Sequence, residues 1–93
     1  MLNFELNKFY AVAFIDGWYP GRCEQILDEE TAVFEFLVPA GKHFKWPYKK
    51  DVQTIKKMGC LSEINVEPIS NGRLWVVHDR DELDSNYKHT KYQ

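Results

Sequence analysis

Apolar side chains occur along the chain in short runs that are separated by turn-forming residues. The first run, Lys8–Ile15, ends at Asp16-Gly17, a dipeptide that favours a tight hairpin because glycine readily adopts positive φ. A second run covers Trp18–Leu27, and a third, Thr31–Val38, is rich in the β-branched and aromatic residues that suit a pleated strand. This order predicts a small all-β fold.

Side chains on a strand alternate between its two faces. Phe34 and Phe36 are therefore predicted to face the core, with Glu35 on the opposite face. The same rule places the neighbours Trp18 and Tyr19 on different faces. Pro20 has no N–H to donate, so we expect it at the start of a strand or on an unpaired edge.

Shorter segments follow the turn at Pro39–Lys42. Strands are predicted over His43–Trp46, Asp51–Ile55 and Cys60–Ile64, with one helical turn near Met58 and an extended run over Glu67–Val77 that turns at Asn71-Gly72. About five strands with short connections favour an SH3-like barrel.

The last fifteen or so positions are strongly polar, and Leu83 is the only clear aliphatic residue among Asp79–Gln93. We therefore predict one β-barrel domain over residues 1–78 and a disordered polar tail over 79–93. A short helix around Asp81–Tyr87 is the alternative, although no apolar face recurs there.

Composition narrows the function classes. The chain has 93 residues, 28% of them charged, and a net charge of −2, which argues against a general phosphate-backbone binder. Cys23 and Cys60 form no metal or redox motif and are expected to be reduced, buried thiols. The opening segment lacks a secretory apolar region and no run is long enough to span a membrane, so we expect a nuclear or cytoplasmic protein.

The sequence contains no recognisable catalytic or metal-binding motif. His43, His78 and His89 have no partners at metal-ligand spacing, and no nucleophile motif or glycine-rich phosphate loop is present. We expect no enzymatic activity, no cofactor and no metal.

Two aromatic patterns are candidates for binding. Between Lys42 and Lys57, six lysines alternate with Phe44, Trp46 and Tyr48, as on surfaces that stack bases and follow phosphates. Aromatic side chains can also form a cage that holds a methylated ammonium group by cation–π attraction. In both cases the alternative is that the rings are core and the lysines keep the surface soluble.

The segment "AVAFIDGWYPGRCEQI…TAVFEFLVPAGK" resembles a Tudor domain, over about Phe9–Ile55. The positions that carry the resemblance are Ala13, Asp16, Gly17, Tyr19, Gly21, Cys23, Ile26, Phe34 and Phe36. The resemblance implies a five-stranded barrel of the Royal superfamily that binds other proteins, often through methylated Arg or Lys.

The resemblance also implies where a cage would lie. Tyr19 matches the cage tyrosine of the second strand, and the aromatic that ends the first strand falls on Ala13 or Phe14. Leu37 and Ala40 occupy the two remaining wall positions, and neither has a ring.

We therefore expect a non-catalytic protein- or peptide-binding module, with methylated Lys or Arg on chromatin or RNA-associated proteins as the ligand. Glu35 or Asp16 would supply negative charge. The predicted aromatic wall consists of Phe14, Trp18 and Tyr19, with Phe44 and Trp46 as a displaced part of the cage. The alternatives are an assembly domain with a degenerate cage, and nucleic-acid binding by the Lys42–Lys57 face.

Overall fold

A computed structural model of the protein describes residues 2–89, which form nine strands and one α-helix. The strands are β1 (Phe9–Phe14), β2 (Gly17–Ile26), β3 (Thr31–Phe36), β4 (Val38–Ala40), β5 (His43–Lys45), β6 (Val52–Lys56), β7 (Cys60–Ile64), β8 (Val66–Ile69) and β9 (Leu74–Val77). Helix α1 covers Arg80–Lys88, and single 3₁₀ turns cover Lys57–Gly59 and Ser70–Gly72.

The strands form two antiparallel sheets. The first has the order β6-β3-β2-β1-β7, and the second has the order β4-β5-β9-β8. The predicted mainly β fold is confirmed, but the sheets do not close into a single five-stranded barrel. The chain leaves the first sheet after β3, just beyond a last hydrogen bond to β2 that the Leu37 N–H donates to the Pro20 carbonyl oxygen at 3.0 Å. Of the strands that follow, β4, β5, β8 and β9 form the second sheet, whereas β6 and β7 return to the two edges of the first.

The β1–β2 hairpin is present as predicted, with the turn one residue earlier. Phe14 pairs with Gly17, so Ile15 and Asp16 form the turn, and Gly17 takes a φ of +153° at the start of β2. Pro20 differs from expectation because it lies within β2, opposite Ala11. Its missing N–H is tolerated there because the pairing of β2 with β3 begins only at the next residue, Gly21.

Both faces of the first sheet are covered, and each has its own core. The first core consists of Tyr10, Val12, Cys23, Ala32, Phe34 and Phe36, with Leu2 and Phe4 packed against it. The second lies between the two sheets and consists of Ala11, Trp18, Leu37, Phe44, Val77 and Leu83. The predicted orientations of Phe34, Phe36, Trp18 and Tyr19 are confirmed: Trp18 packs in the second core and Tyr19 against the first.

The prediction of a disordered tail is wrong for Arg80–Lys88, which forms α1. One buried side chain, Leu83, anchors the helix in the second core, and the Trp18 Nε1–H donates to Asp84 at 2.8 Å. A single apolar residue gives no periodic pattern, which is why the sequence favoured disorder. The alternative of a short helix is confirmed, and residues 90–93 lie outside the described part of the chain.

Candidate functional site

A cavity of about 380 Å³ opens at one end of the first core. Parts of five strands meet there: the end of β1, the start of β2, the end of β3, the start of β4, and β6 with the residue before it. The lining residues are Phe14, Asp16, Tyr19, Phe36, Leu37, Val38, Pro39, Asp51 and Gln53. We call this cavity the aromatic pocket.

Three rings form the apolar part of the pocket. Phe14 lies 5.7 Å from Tyr19 and 5.5 Å from Phe36 between ring centroids, with interplanar angles of 61° and 73°. These are edge-to-face arrangements, which aromatic rings favour. Phe36 is buried, so its ring forms the base of the pocket. Phe14 and Tyr19 are half-buried, so their rings are more accessible.

Two carboxyl groups supply polar lining. The Tyr19 hydroxyl donates to Asp16 Oδ2 at 2.9 Å, and this bond, together with burial, raises the pKa of Tyr19. Asp51 accepts a hydrogen bond from the Gln53 amide at 2.9 Å, and its backbone carbonyl accepts one from the Phe36 N–H, also at 2.9 Å. The pocket therefore combines aromatic walls with negative charge.

Gly21 sets the position of the pocket base. It pairs with Phe36 across β2 and β3, and a Cβ added to Gly21 would lie 2.8 Å from Phe36 Cε1. The aromatic ring therefore lies directly against the glycine backbone. Glycine is required here because any other side chain would occupy the space that the ring fills.

Two of the six predicted site residues line the aromatic pocket: Phe14 and Tyr19. Trp18 and Phe44 lie in the second core with their ring centroids 5.9 Å apart. The Arg80 guanidinium lies 5.9 Å from the centroid of Trp18 and 5.1 Å from that of Phe44. Both rings are thus in cation–π contact with Arg80 of the same chain.

Trp46 and Glu35 also lie away from the pocket, and both contact Arg22. The Arg22 guanidinium lies 4.6 Å from the centroid of Trp46, and its Nη2 lies 3.5 Å from Glu35 Oε1. The cation–π contacts found among residues 2–89 also include Lys57 over Phe4, at 5.5 Å, and none of them involves a ring of the aromatic pocket.

Sequence reasoning missed Phe36 and Asp51 as pocket residues. Alternation correctly directed Phe36 toward the core, but nothing in the sequence indicated that it lies at the open end of that core. Asp51 approaches only because β6 pairs with β3, with Val52 opposite Glu35, and this long-range register has no local signal. Leu37, a wall position implied by the Tudor resemblance, lines the pocket, whereas Ala40 is not among the lining residues.

The lysine-rich segment Lys42–Lys57 has fewer accessible aromatic rings than its sequence predicted. Phe44 is buried and Trp46 is covered by Arg22, while Tyr48 is fully exposed. Lys42, Lys45, Lys49, Lys50 and Lys56 are exposed. The segment therefore combines exposed cations with one accessible aromatic side chain.

In residues 2–89, no three His, Cys, Asp or Glu side chains are grouped so that they could hold a metal ion. The same part of the chain has no helix with the length and apolar character needed to cross a bilayer.

Comparison of the chain with protein-family models, with curated proteins and with solved structures gave no match.

Proposed function

We propose that this protein is a non-catalytic peptide-binding module, Tudor-like in function, that holds a methylated Lys or Arg side chain in the aromatic pocket. The partner would be a nuclear or cytoplasmic protein, such as one associated with chromatin or RNA. Phe14, Tyr19 and Phe36 would provide the aromatic walls, and Asp16 and Asp51 the negative charge.

The observation that carries this proposal is the contrast between the aromatic clusters. Trp18, Phe44 and Trp46 each have an arginine of the chain over the ring, so their π-faces are already used. The rings of the aromatic pocket contact each other and line an open cavity instead. A methylated cation loses little hydration on entering such a site and gains cation–π attraction, to which nearby carboxylates add.

The size and polarity of the cavity are consistent with that ligand. Its volume of about 380 Å³ exceeds what a methylated ammonium group and part of its alkyl stem require. Because the carboxylates accept hydrogen bonds and carry negative charge, a neutral apolar side chain of similar size would bind less well.

NMR titration with matched peptides tests the proposal. The peptides would carry trimethyl-lysine, dimethyl-lysine, dimethylarginine or the unmethylated residue at one position. We expect shifts at Phe14, Asp16 and Tyr19, and about tenfold tighter binding of at least one methylated form. Tyr19→Leu keeps an apolar wall but removes the ring, so it should weaken methylated binding to the unmethylated level.

Tyr48→Leu is the matched control, because Tyr48 is fully exposed and lies outside the pocket. It should leave the affinity unchanged. Equal binding of methylated and unmethylated peptides, or shifts that avoid the pocket, would exclude the proposed function.

A second candidate function is an assembly domain whose cage is degenerate. It is favoured by two large apolar side chains that are almost fully exposed: Ile15 at 87% and Met58 at 83%. Both line a second cavity, of about 340 Å³, between the end of β1 and β6. Sedimentation velocity over a wide concentration range distinguishes this function, since a protein that stays monomeric throughout does not self-assemble.

A further inference from the structure

Helix α1 contacts the hairpin that carries two pocket residues. The Tyr87 hydroxyl lies within hydrogen-bond distance of the Phe14 carbonyl oxygen and 2.9 Å from that of Ile15, so its proton is shared between them. Phe14 supplies a pocket wall, and Ile15 precedes Asp16. The end of α1 thus holds the backbone beside the two pocket side chains Phe14 and Asp16.

A second contact of α1 lies on the other strand of the same hairpin. The Trp18 indole N–H donates to Asp84 Oδ1 at 2.8 Å. Trp18 immediately precedes Tyr19, whose side chain points to the opposite face and lines the pocket. Both strands that carry the accessible aromatic walls are therefore tied to α1 through its second and last turns.

The helix itself is held by a small number of features. Leu83 is its one buried residue, and the remaining positions are polar or half-buried. The chain enters α1 through Asp79, a non-glycine residue at φ +61°, with no side-chain hydrogen bond capping the helix start. Elements with little buried apolar surface open at low free energy cost relative to the core.

We infer that Tyr87 is a positioning residue for the aromatic pocket, and that docking of α1 and occupation of the pocket stabilise each other. The docked helix holds the Phe14–Asp16 backbone in the geometry that brings both pocket side chains to the cavity. When α1 detaches, the hairpin tip loses this constraint and the binding-competent fraction falls. Coupling of this kind is reciprocal, so a bound ligand must also favour the docked helix.

This inference rests on the proposed function, so its test uses one readout that requires the ligand and one that does not. Tyr87→Phe removes only the hydroxyl, and Tyr48→Phe is the matched control on an exposed tyrosine. The first readout is amide hydrogen exchange of residues 15–18 in the free protein. The second is the affinity for a trimethyl-lysine or dimethylarginine peptide, with exchange of the α1 amides measured in its presence.

We expect Tyr87→Phe to speed exchange at the hairpin tip and to weaken peptide binding roughly three- to tenfold, which corresponds to the loss of one hydrogen bond. In the unsubstituted protein the peptide should slow exchange of the α1 amides, and Tyr87→Phe should reduce that protection. A merely structural role for Tyr87 would not make α1 respond to the ligand. Tyr48→Phe should change none of these quantities.

The inference is overturned if Tyr87→Phe leaves hairpin exchange or peptide affinity unchanged, or if α1 exchange ignores the ligand. If no methylated peptide binds the unsubstituted protein, the proposed function fails. The positioning role of Tyr87 then stands or falls on hairpin exchange in the free protein, where no acceleration would refute it.

Discussion

At the scale of single residues, Trp18 and Tyr19 show how strand alternation divides two adjacent aromatic residues between different tasks. Trp18 packs between the sheets and bonds to Asp84, whereas Tyr19 lines the pocket and bonds to Asp16. Their sequence position alone made both of them candidates for one aromatic wall. The pocket instead takes its third ring from Phe36, on the neighbouring strand.

Gly21→Ala tests whether the base of the pocket depends on contact between a ring and a glycine. The new Cβ would lie 2.8 Å from Phe36 Cε1, so the buried ring must move. We expect a loss of roughly 1–3 kcal/mol in the free energy of unfolding, typical of overpacking, and shifted resonances for Phe14 and Tyr19. Urea denaturation and NMR spectra check this.

Combining Gly21→Ala with Phe36→Leu provides the control. The smaller side chain relieves part of the clash, so the double variant should lose less stability than the sum of the two single changes. Strictly additive losses would indicate that Gly21 is required for a reason other than contact with Phe36.

Cys60 gives a prediction for alkaline pH. Burial raises the pKa of its thiol to about 12, and the nearby Cys23 adds to the shift. The unfolded chain releases this proton near the usual thiol pKa of about 8.5, whereas the folded protein retains it. Below the unfolded-state pKa of about 8.5, the full contribution of Cys60 to stability is present. As the pH rises from about 8.5 toward the folded-state pKa of about 12, this contribution is lost and unfolding is favoured.

Comparison of the protein with Cys60→Ala isolates this effect from other groups that titrate at high pH. Urea midpoints measured from about pH 8 to about pH 10.5 should fall less steeply in the variant. Parallel curves for the two proteins would show that the Cys60 thiol does not contribute.

At the scale of secondary-structure elements, local patterns predicted what local physics determines. Strand β3 was predicted over Thr31–Val38 from its β-branched and aromatic residues, and it ends two residues earlier, at Phe36. The β1–β2 hairpin follows from turn chemistry, and the single helical turn at Lys57–Gly59 follows from a short helical spacing. Helix α1 was predicted only as the alternative to a disordered tail, because one buried leucine and a few side-chain bonds hold it. These contacts form only with residues far away in sequence.

The same distinction explains how much of the site the sequence predicted. Phe14 and Tyr19 could be proposed because they flank the predicted Asp16-Gly17 turn at positions where the Tudor resemblance implies cage walls. Phe36 and Asp51 join them through the pairing of β3 with β2 and β6, which depends on register across long stretches of chain. Trp18, Phe44 and Trp46 were plausible cage residues until the positions of Arg22 and Arg80 were known, since nothing local links those arginines to the rings.

At the scale of the whole molecule, the central feature is one sheet with a core on each face. All three tryptophans, Trp18, Trp46 and Trp75, lie in or against the second core, whereas the first contains phenylalanine and tyrosine. Tryptophan fluorescence therefore reports on one side of the sheet, and far-UV circular dichroism reports on the strands of both sheets. The two signals can show whether the cores unfold together.

We predict that they do, because β1 and β2 supply side chains to both cores, and domains of this size usually unfold in one step. Phe34→Leu changes the first core and Phe44→Leu the second, and each should cost roughly 1–2 kcal/mol. In urea, each variant should shift the fluorescence and circular dichroism midpoints equally. If Phe34→Leu moved the dichroism midpoint and left tryptophan fluorescence unchanged, the two cores would be independent, and the second sheet with α1 could open while the aromatic pocket stayed intact.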